Sequence, residues 1–397
     1  MLKKIIAPIL VVIIVISILY IITIIPTNQS NKDELKEEWE ITFGGEKNEE
    51  GFFVFSTDDE GCIVTGYKES IGDENKDMLI IKFNKYGNEE WNLTIGGDGD
   101  EEGKALVQTA DKGFIIVGKT DSYGNGENDV FVVKISEEGE KQWNKTFGGE
   151  KNDRANSIVE TDDGGYVIVG RSDSFENKGF DVLIIKINAL GKEEWLHTIG
   201  GEKDDEGRSI VKNNDDGYTI AAATRSYGEG RNDIWILNIN STGVEQWNKT
   251  YGYEKSDMPN QIIKTENGNL IIVGHSELNY SNKWSGIIIN TDENGNKIWE
   301  KTIENDTTDV GLSSITNTDD GYISTGYIGP YGNEQDQLLV KMDLNGNEVW
   351  KKYIGGEYCD GGIWIQNSSN NHFYIVGYKD IDGSEAYDLW LIRTILN

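Results

Sequence analysis

The 397-residue chain predicts an all-β fold: a seven-bladed β-propeller of four-stranded antiparallel blades. Three observations carry this. First, tryptophan returns at a nearly fixed interval, at Trp39, Trp91, Trp143, Trp195, Trp247, Trp299 and Trp350, with spacings of 52 five times and 51 once, so one supersecondary unit is used seven times. Second, each interval holds four short strand-like segments and no helical period. Third, the ends of the array are complementary. Trp39–Gly45 reads as an outer strand without a blade, and the last unit stops at Leu391–Ile395, where its own outer strand should follow. Pairing the two closes the ring and removes the open edges of a linear array.

In chain order, residues 1–4 form a short basic start with Lys3 and Lys4, and Ile5–Ile25 is an uncharged apolar run. That length is enough to cross about 30 Å of hydrocarbon as a helix and is longer than a secretory signal's apolar region. The expectation is an uncleaved transmembrane anchor. The lysines before it favour a cytoplasmic amino terminus and a propeller held outside the cell. Residues 26–38 are a polar linker, and residues 39–397 are the propeller. In the third unit, Trp143–Phe147 is closed by Gly148-Gly149, and Ala155–Thr161 forms the innermost strand. Asp162-Asp163-Gly164-Gly165 is a tight turn leading to Tyr166–Ser172, and Asp181–Asn188 precedes the turn around Gly191 and the next tryptophan. The middle strands are almost continuously apolar, as in a sheet covered on both faces. Glycine recurs at the centre of the Tyr166–Ser172 strand and its equivalents (Gly66, Gly118, Gly170, Gly274, Gly326, Gly377, with Ala222 in the remaining unit), which reads as room for crowded neighbouring blades near the axis.

A formal net charge of −32 excludes nucleic acid as a partner, because phosphate would be repelled. Eight N-x-S/T sequons occur, three of them by-products of the recurring Trp-Asn-x-Thr, so they say little about glycosylation.

Two acidic sets follow the repeat. Glu49, Glu101, Asp153, Asp205, Asp257, Asp309 and Asp360 each lie ten residues after a tryptophan, in the loop leading into the innermost strand. Such a ring of carboxylates around the channel mouth could hold Ca²⁺, a hard cation that prefers oxygen ligands; the competing reading has each acid accepting N–H bonds in its own loop. Asp77, Asp129, Asp181, Asp233, Asp336 and Asp388, with Ser285 in the other unit, read as turn stabilisers. Lys82, Lys134, Lys186, Lys341 and Arg393 read as members of inter-blade pairs. Residues that break the repeat are more informative. Apart from Arg393, all arginines fall in units three and four: Arg154, Arg171, Arg208, Arg225 and Arg231. They suit bidentate capture of a carboxylate or sulfate, as acidic sugars present. A second irregular sector joins His275, Tyr280, Trp284, Tyr358 and Trp364.

The turn-plus-tryptophan segments Asn188-Ala-Leu-Gly191-Lys-Glu-Glu-Trp195 and Asp343-Leu-Asn-Gly346-Asn-Glu-Val-Trp350 resemble the docking motif of quinoprotein-type propellers. The unit with its Gly-Gly, Asp-Gly-Tyr and Gly-x-x-x-Trp elements resembles repeats of surface propellers from archaea and bacteria. The resemblance implies the fold, not an activity. No phosphate loop, metal-spaced His/Cys cluster or Gly-x-Ser-x-Gly occurs, and no vicinal cysteine pair of a quinone-dependent dehydrogenase. The expectation is a non-catalytic binding or scaffolding module for glycan or protein. The alternative is a glycoside-directed, sialidase-like enzyme with Tyr227 as candidate nucleophile. Finally, Cys62 in the first unit and Cys359 in the seventh occupy places that correspond to opposite ends of a blade strand about seven residues long, roughly 20 Å apart along neighbouring blades, too far to pair. Two free thiols follow, with Cys359 the more accessible.

Overall fold

The computed structural model describes residues 34–69, 75–175, 178–278, 283–330, 334–384 and 386–396. It contains seven four-stranded antiparallel sheets. Blade 3 shows the pattern. Its inner strand Asp153–Glu160 pairs with Tyr166–Ser172, then Asp181–Ile187, then the outer strand Glu193–Ile199. The other inner strands are Glu49–Ser56, Glu101–Gln108, Asp205–Lys212, Asp257–Lys264, Val310–Thr318 and Asp360–Asn367. Each packs on the next around the axis, and the last packs on the first. The ring lies in the compact unit Glu37–Ile395; the other unit, Met1–Lys36 with Leu396–Asn397, falls almost wholly outside the described residues.

The core lies between blades rather than inside one sheet. Between blades 2 and 3, for example, Ile115, Val117 and Val132 meet Ile168, Leu183 and Ile185, all fully buried or nearly so. This explains why the middle strands carry apolar residues on both faces. Closure is as expected: Leu35–Phe43 is the fourth strand of the last sheet, beside Tyr387–Leu396.

The repeating tryptophan is a docking residue. The rings of Trp39, Trp91, Trp143, Trp195, Trp247 and Trp299 lie against Gly87, Gly139, Gly191, Gly243, Gly295 and Gly346 in the outer turn of the following blade. Those turns require glycine twice over. Their φ angles run from +72° to +81°, and a Cβ would press into the indole. Gly191→Ala should therefore lower stability by about 1–3 kcal/mol through strain and displacement of Trp143, read as a shift in the denaturation midpoint.

Three expectations are corrected here. The glycines of the second strand do not relieve crowding between blades. Each inner strand carries a bulge (in blade 3, between Ala155 and Ser157), and a Cβ on Gly170 would collide with the carbonyl oxygen of Arg154 in its own blade. The lysines of the third strands pair within blades, not between them. Lys134 Nζ donates to Asp111 Oδ1 and Thr109 Oγ1 at 2.9 Å each, and Lys186 binds Asp163 at 2.9 Å. In this way the Asp-Gly turn and the third strand lock together. The transmembrane helix is the third correction. The only helical element among the described residues is a single 3₁₀ turn, Ser369–Asn371, and no helix there is long and apolar enough to cross a membrane. Segment 5–25, on which that expectation rested, lies outside the described residues.

Both thiols are free, and Cys62 is buried at 0% exposure with Cys359 the less buried of the two, as expected; Cys359 is nonetheless only 8% exposed, its Sγ 3.9 Å from Gln335 Oε1. A thiol reagent should find two equivalents after denaturation and only slow reaction before it.

Candidate functional site

The register of the inner hairpins defines three rings of side chains at one mouth of the channel. The second residues of the inner strands are Glu50, Glu102, Arg154, Glu206, Met258, Gly311 and Gly361, paired with Tyr67, Lys119, Arg171, Ala223, His275, Tyr327 and Tyr378. Two places on, the bulge residues are Phe52, Lys104, Asn156, Arg208, Asn260, Ser313 and Ile363. Elsewhere the blades nearly repeat one another; here each differs. One half of the mouth is charged and the other is aromatic.

The charged half is organised around two glutamates. Glu206 accepts from Arg154 through Nε at 3.1 Å and through Nη2, and from Asn156 Nδ2 at 2.8 Å; Arg208 Nη2 lies 3.2 Å and Arg171 Nη1 3.7 Å away. Burial alone would raise this carboxyl, but Arg208, Arg154 and Arg171 overcome it and bring it down to about 2. Two blades earlier the arrangement recurs in lysine. Glu102 is ringed by Lys104 at 2.7 Å, Lys119 at 3.3 Å and Lys76 at 3.7 Å, and is likewise lowered to about 2 against its burial. Burial, then Arg154, lowers the pKa of Arg171, which stacks 4.0 Å over the Phe180 ring. Six cations thus stand with three carboxylates, Glu50 included. Glu206→Gln should leave three half-buried guanidinium groups uncompensated and cost about 2 kcal/mol, measurable by chemical denaturation.

Of the five arginines singled out from the sequence, the structure gathers three. Arg225 lies outside the cluster, 2.7 Å from Asp204 Oδ2, and Arg231 is exposed on the neighbouring loop. The lysines were missed because lysine is spread through the whole chain; their signal was positional, since Lys119 and Lys104 occupy the register places of Arg171 and Arg208.

The acidic ring is not an open rim. Glu49, Glu101, Asp153, Asp205, Asp257 and Asp360 are buried, and main-chain N–H groups of Gly149, Gly201, Tyr253 and Gly356 bind Asp153, Asp205, Asp257 and Asp360 at 2.7–2.8 Å. Asp309 is out of register: Val310 occupies the equivalent place, and Asp309, one residue earlier, accepts from Trp284 N at 2.9 Å. The two acidic sets meet at the blade seams. A Cβ on Gly252 would stand 2.6 Å from Asp233 Oδ1 and 2.7 Å from Asp257 Oδ2, and Gly44, Gly148 and Gly200 are flanked in the same way by Asp388/Glu49, Asp129/Asp153 and Asp181/Asp205. At the seam between blades 5 and 6 all three members change together, to Glu304, Ser285 and Val310, so the glycine and its two acids act as one unit. Among the described residues no three His, Cys, Asp or Glu side chains form a metal-holding group.

On the aromatic half, His275 meets Trp284 edge-on at 4.8 Å, and its imidazole is lowered to about 4 by burial and then by Arg208. Tyr378 and Tyr387 meet at 5.1 Å. Gly311 and Gly361 leave space that the rings of Tyr327 and Tyr378 fill. Trp364 instead packs on Phe53 at 4.4 Å beside the core, Tyr358 lies over Gly383, and Tyr280 is outside the described residues. Tyr227 donates to the Gly200 carbonyl at 2.9 Å and rests on Trp235, as Tyr123 donates to Gly96 and rests on Phe131. Burial and Asp205 raise its pKa, the opposite of an activated nucleophile.

No family model matches the chain, and no curated protein matches it in sequence. Many solved structures share the architecture. The WD40 domain of Pan2 from Neurospora crassa is 9% identical with a TM-score of 0.54, covering 92% of this chain and 97% of that one. Polysaccharide lyase Uly1 is 14% identical with a TM-score of 0.52, covering 91% and 100%. Sqt1 from Chaetomium thermophilum is 9% identical with a TM-score of 0.51, covering 92% and 100%. At such identities the likeness is one of fold: the chain is a seven-bladed β-propeller, an architecture that commonly serves as a binding or scaffolding module.

Proposed function

We propose that the protein is a non-catalytic binding module whose ligand is a glycan, held at the channel mouth where the second residues of the inner strands converge. The observation that carries this is the break in the repeat: a scaffold of seven near-identical blades becomes asymmetric at one mouth, with cations on blades 2 to 4 and half-buried aromatic rings on blades 5 to 7. Rings with a polar edge suit a sugar face, and charged groups fix its orientation. A hydrolase would need an activated nucleophile or a pair of carboxylates beside the substrate. Tyr227 is engaged with backbone, Tyr67 donates to Glu50 at 2.8 Å and is raised by burial and by that carboxylate rather than activated, and Glu102 and Glu206 are each spent on three cations.

The full chain, screened against a panel of immobilised glycans, should bind a subset with micromolar affinity and release no product on long incubation. Trp284→Ala and Tyr378→Ala should each weaken binding about tenfold, as expected for loss of a stacking contact. Reducing sugar appearing over time, or no glycan bound at all, would overturn the reading.

A further inference from the structure

Resting on that reading, we infer that the ligand is an acidic glycan, and that its sulfate or carboxylate enters the small cavity between blades 2 and 3 lined by Lys119, Arg154 and Arg171. The cavity measures about 100 Å³ and is completed by Asn128, Asn152 and Asp153. That volume fits one oxyanion group and little else.

Its walls are already polarised. Lys119 is drawn toward Glu102 at 3.3 Å, while Arg154 and Arg171 are drawn toward Glu206, so the cavity lies between two caged carboxylates whose surrounding cations outnumber them. The three side chains facing it are 22%, 29% and 30% exposed, enough to be reached and little enough to be partly desolvated. Asp153, the one acid in the lining, has Oδ2 turned to Gly149 N at 2.8 Å and Ser174 Oγ at 2.6 Å, while its buried Oδ1 has no hydrogen-bond partner among the described residues, so three cations of the wall stand against one acid. An entering anion would add acceptors to a site that has donors in excess, and the forks of Arg154 and Arg171 suit the two oxygens of a carboxylate or sulfate.

The chain's charge of −32 opposes a polyanion at long range. At physiological salt, charges separated by more than about 8 Å are screened, so the cations in the wall decide the contact while the distant acids slow the approach. A sugar whose acid sits in this cavity would extend over the channel mouth toward Trp284, Tyr378 and Tyr387.

The test is calorimetric titration of the full chain with three oligosaccharides of matched length. One is a chondroitin sulfate oligomer, one an oligogalacturonate bearing carboxylates alone, and one an uncharged dextran oligomer. The expected result is binding of at least one acidic oligomer ten times or more tighter than the neutral one, weakened about tenfold by Lys119→Gln in a chain that still melts in one cooperative transition. Arg171→Lys, which keeps the charge and loses the fork, should weaken binding less than Arg171→Gln. Sulfate and carboxylate are told apart by which acidic oligomer binds. Equal binding of the neutral oligomer, abolished by Trp284→Ala and untouched by Lys119→Gln, would overturn this inference and leave the glycan reading standing. Binding of a poly-glutamate peptide and none of the three oligomers would overturn both.

Discussion

Deleting Trp39 to Gly45 should unfold or aggregate the propeller, or lower its melting temperature by at least 15 °C. The segment is the outer strand of blade 7, continuous in chain with blade 1 and hydrogen-bonded to the last strand, and so ties the two ends of the ring together. Removing it exposes the full edge of Tyr387–Leu396, a strand otherwise buried over most of its length. Specific contacts are lost as well. Trp39 Nε1 donates to the Lys85 carbonyl at 3.0 Å, and its ring sits 6.0 Å from that of the buried Tyr374. Trp390 Nε1 donates to Glu40 Oε2 at 2.8 Å, and would be left as an unpaired donor in a buried indole. Ladder bonds, the indole and these contacts together amount to on the order of 5–10 kcal/mol, comparable with the whole stability of a domain. Calorimetry and size-exclusion chromatography check it: a truncated chain that stays monomeric and melts with the parent would show that closure contributes little. A gentler probe is Glu38→Gln, which leaves the strand in place and removes one carboxylate charge, paired with Arg393 Nε at 3.2 Å and with His372 Nε2 at 3.3 Å, while Arg393 keeps its bond to the Lys85 carbonyl; its effect should be a small fraction of the deletion's.

The fold was legible because repetition converts weak local signals into a strong one. A single short segment headed by tryptophan is an ambiguous strand, but seven of them at one interval, with mismatched ends, admit few structures other than a closed ring. Gly87 and its equivalents were read correctly as turns, yet their docking against the preceding tryptophan needed three dimensions, since ring and glycine lie nearly fifty residues apart. The same regularity misled where it slipped. Counting ten residues from each tryptophan placed Asp309 in the acidic ring, whereas the strand pairing gives that place to Val310. The site was only half legible. Arginine is rare in this chain, so its clustering in two units stood out. Lysine is common, so Lys104 and Lys119 did not, although they do the same work around Glu102, two blades before Glu206. Glu206, on which three arginines converge, carried no sequence signal, because a central carboxylate looks like any other glutamate in a chain with 69 acidic residues.

The acidic seams predict an unusual pH dependence. Burial, with the charge of the facing acid adding to it, raises Asp181, Asp257 and Asp360 to about 6 and Glu49 to about 7 and raises Asp129; burial with other nearby acids, Glu229 and then Asp382 and Asp380, raises Asp233 and Asp388 as well. A carboxyl with a higher pKa folded than unfolded holds its proton longer in the folded state. Each such group therefore favours folding below its unfolded value, near 4, and that advantage is lost as pH climbs through the folded value. Several seams titrating together should make stability fall between about pH 4 and 7. The opposite sign applies to Glu102, Glu206 and Asp111, lowered to about 2, whose contribution is present above pH 4 and lost below it. The melting temperature should accordingly peak near pH 4–5 and drop by on the order of 5 °C toward pH 8. The chain supplies its own control at the seam that lacks the unit. Asp181→Asn with Asp205→Asn should flatten the pH dependence, while Glu304→Gly, Ser285→Asp and Val310→Asp together should install a seventh seam and steepen it. Scanning calorimetry from pH 4 to 9 reads all three proteins, and parallel curves would show that the seam acids remain ionised throughout and that their burial is fully offset by the backbone N–H groups they accept.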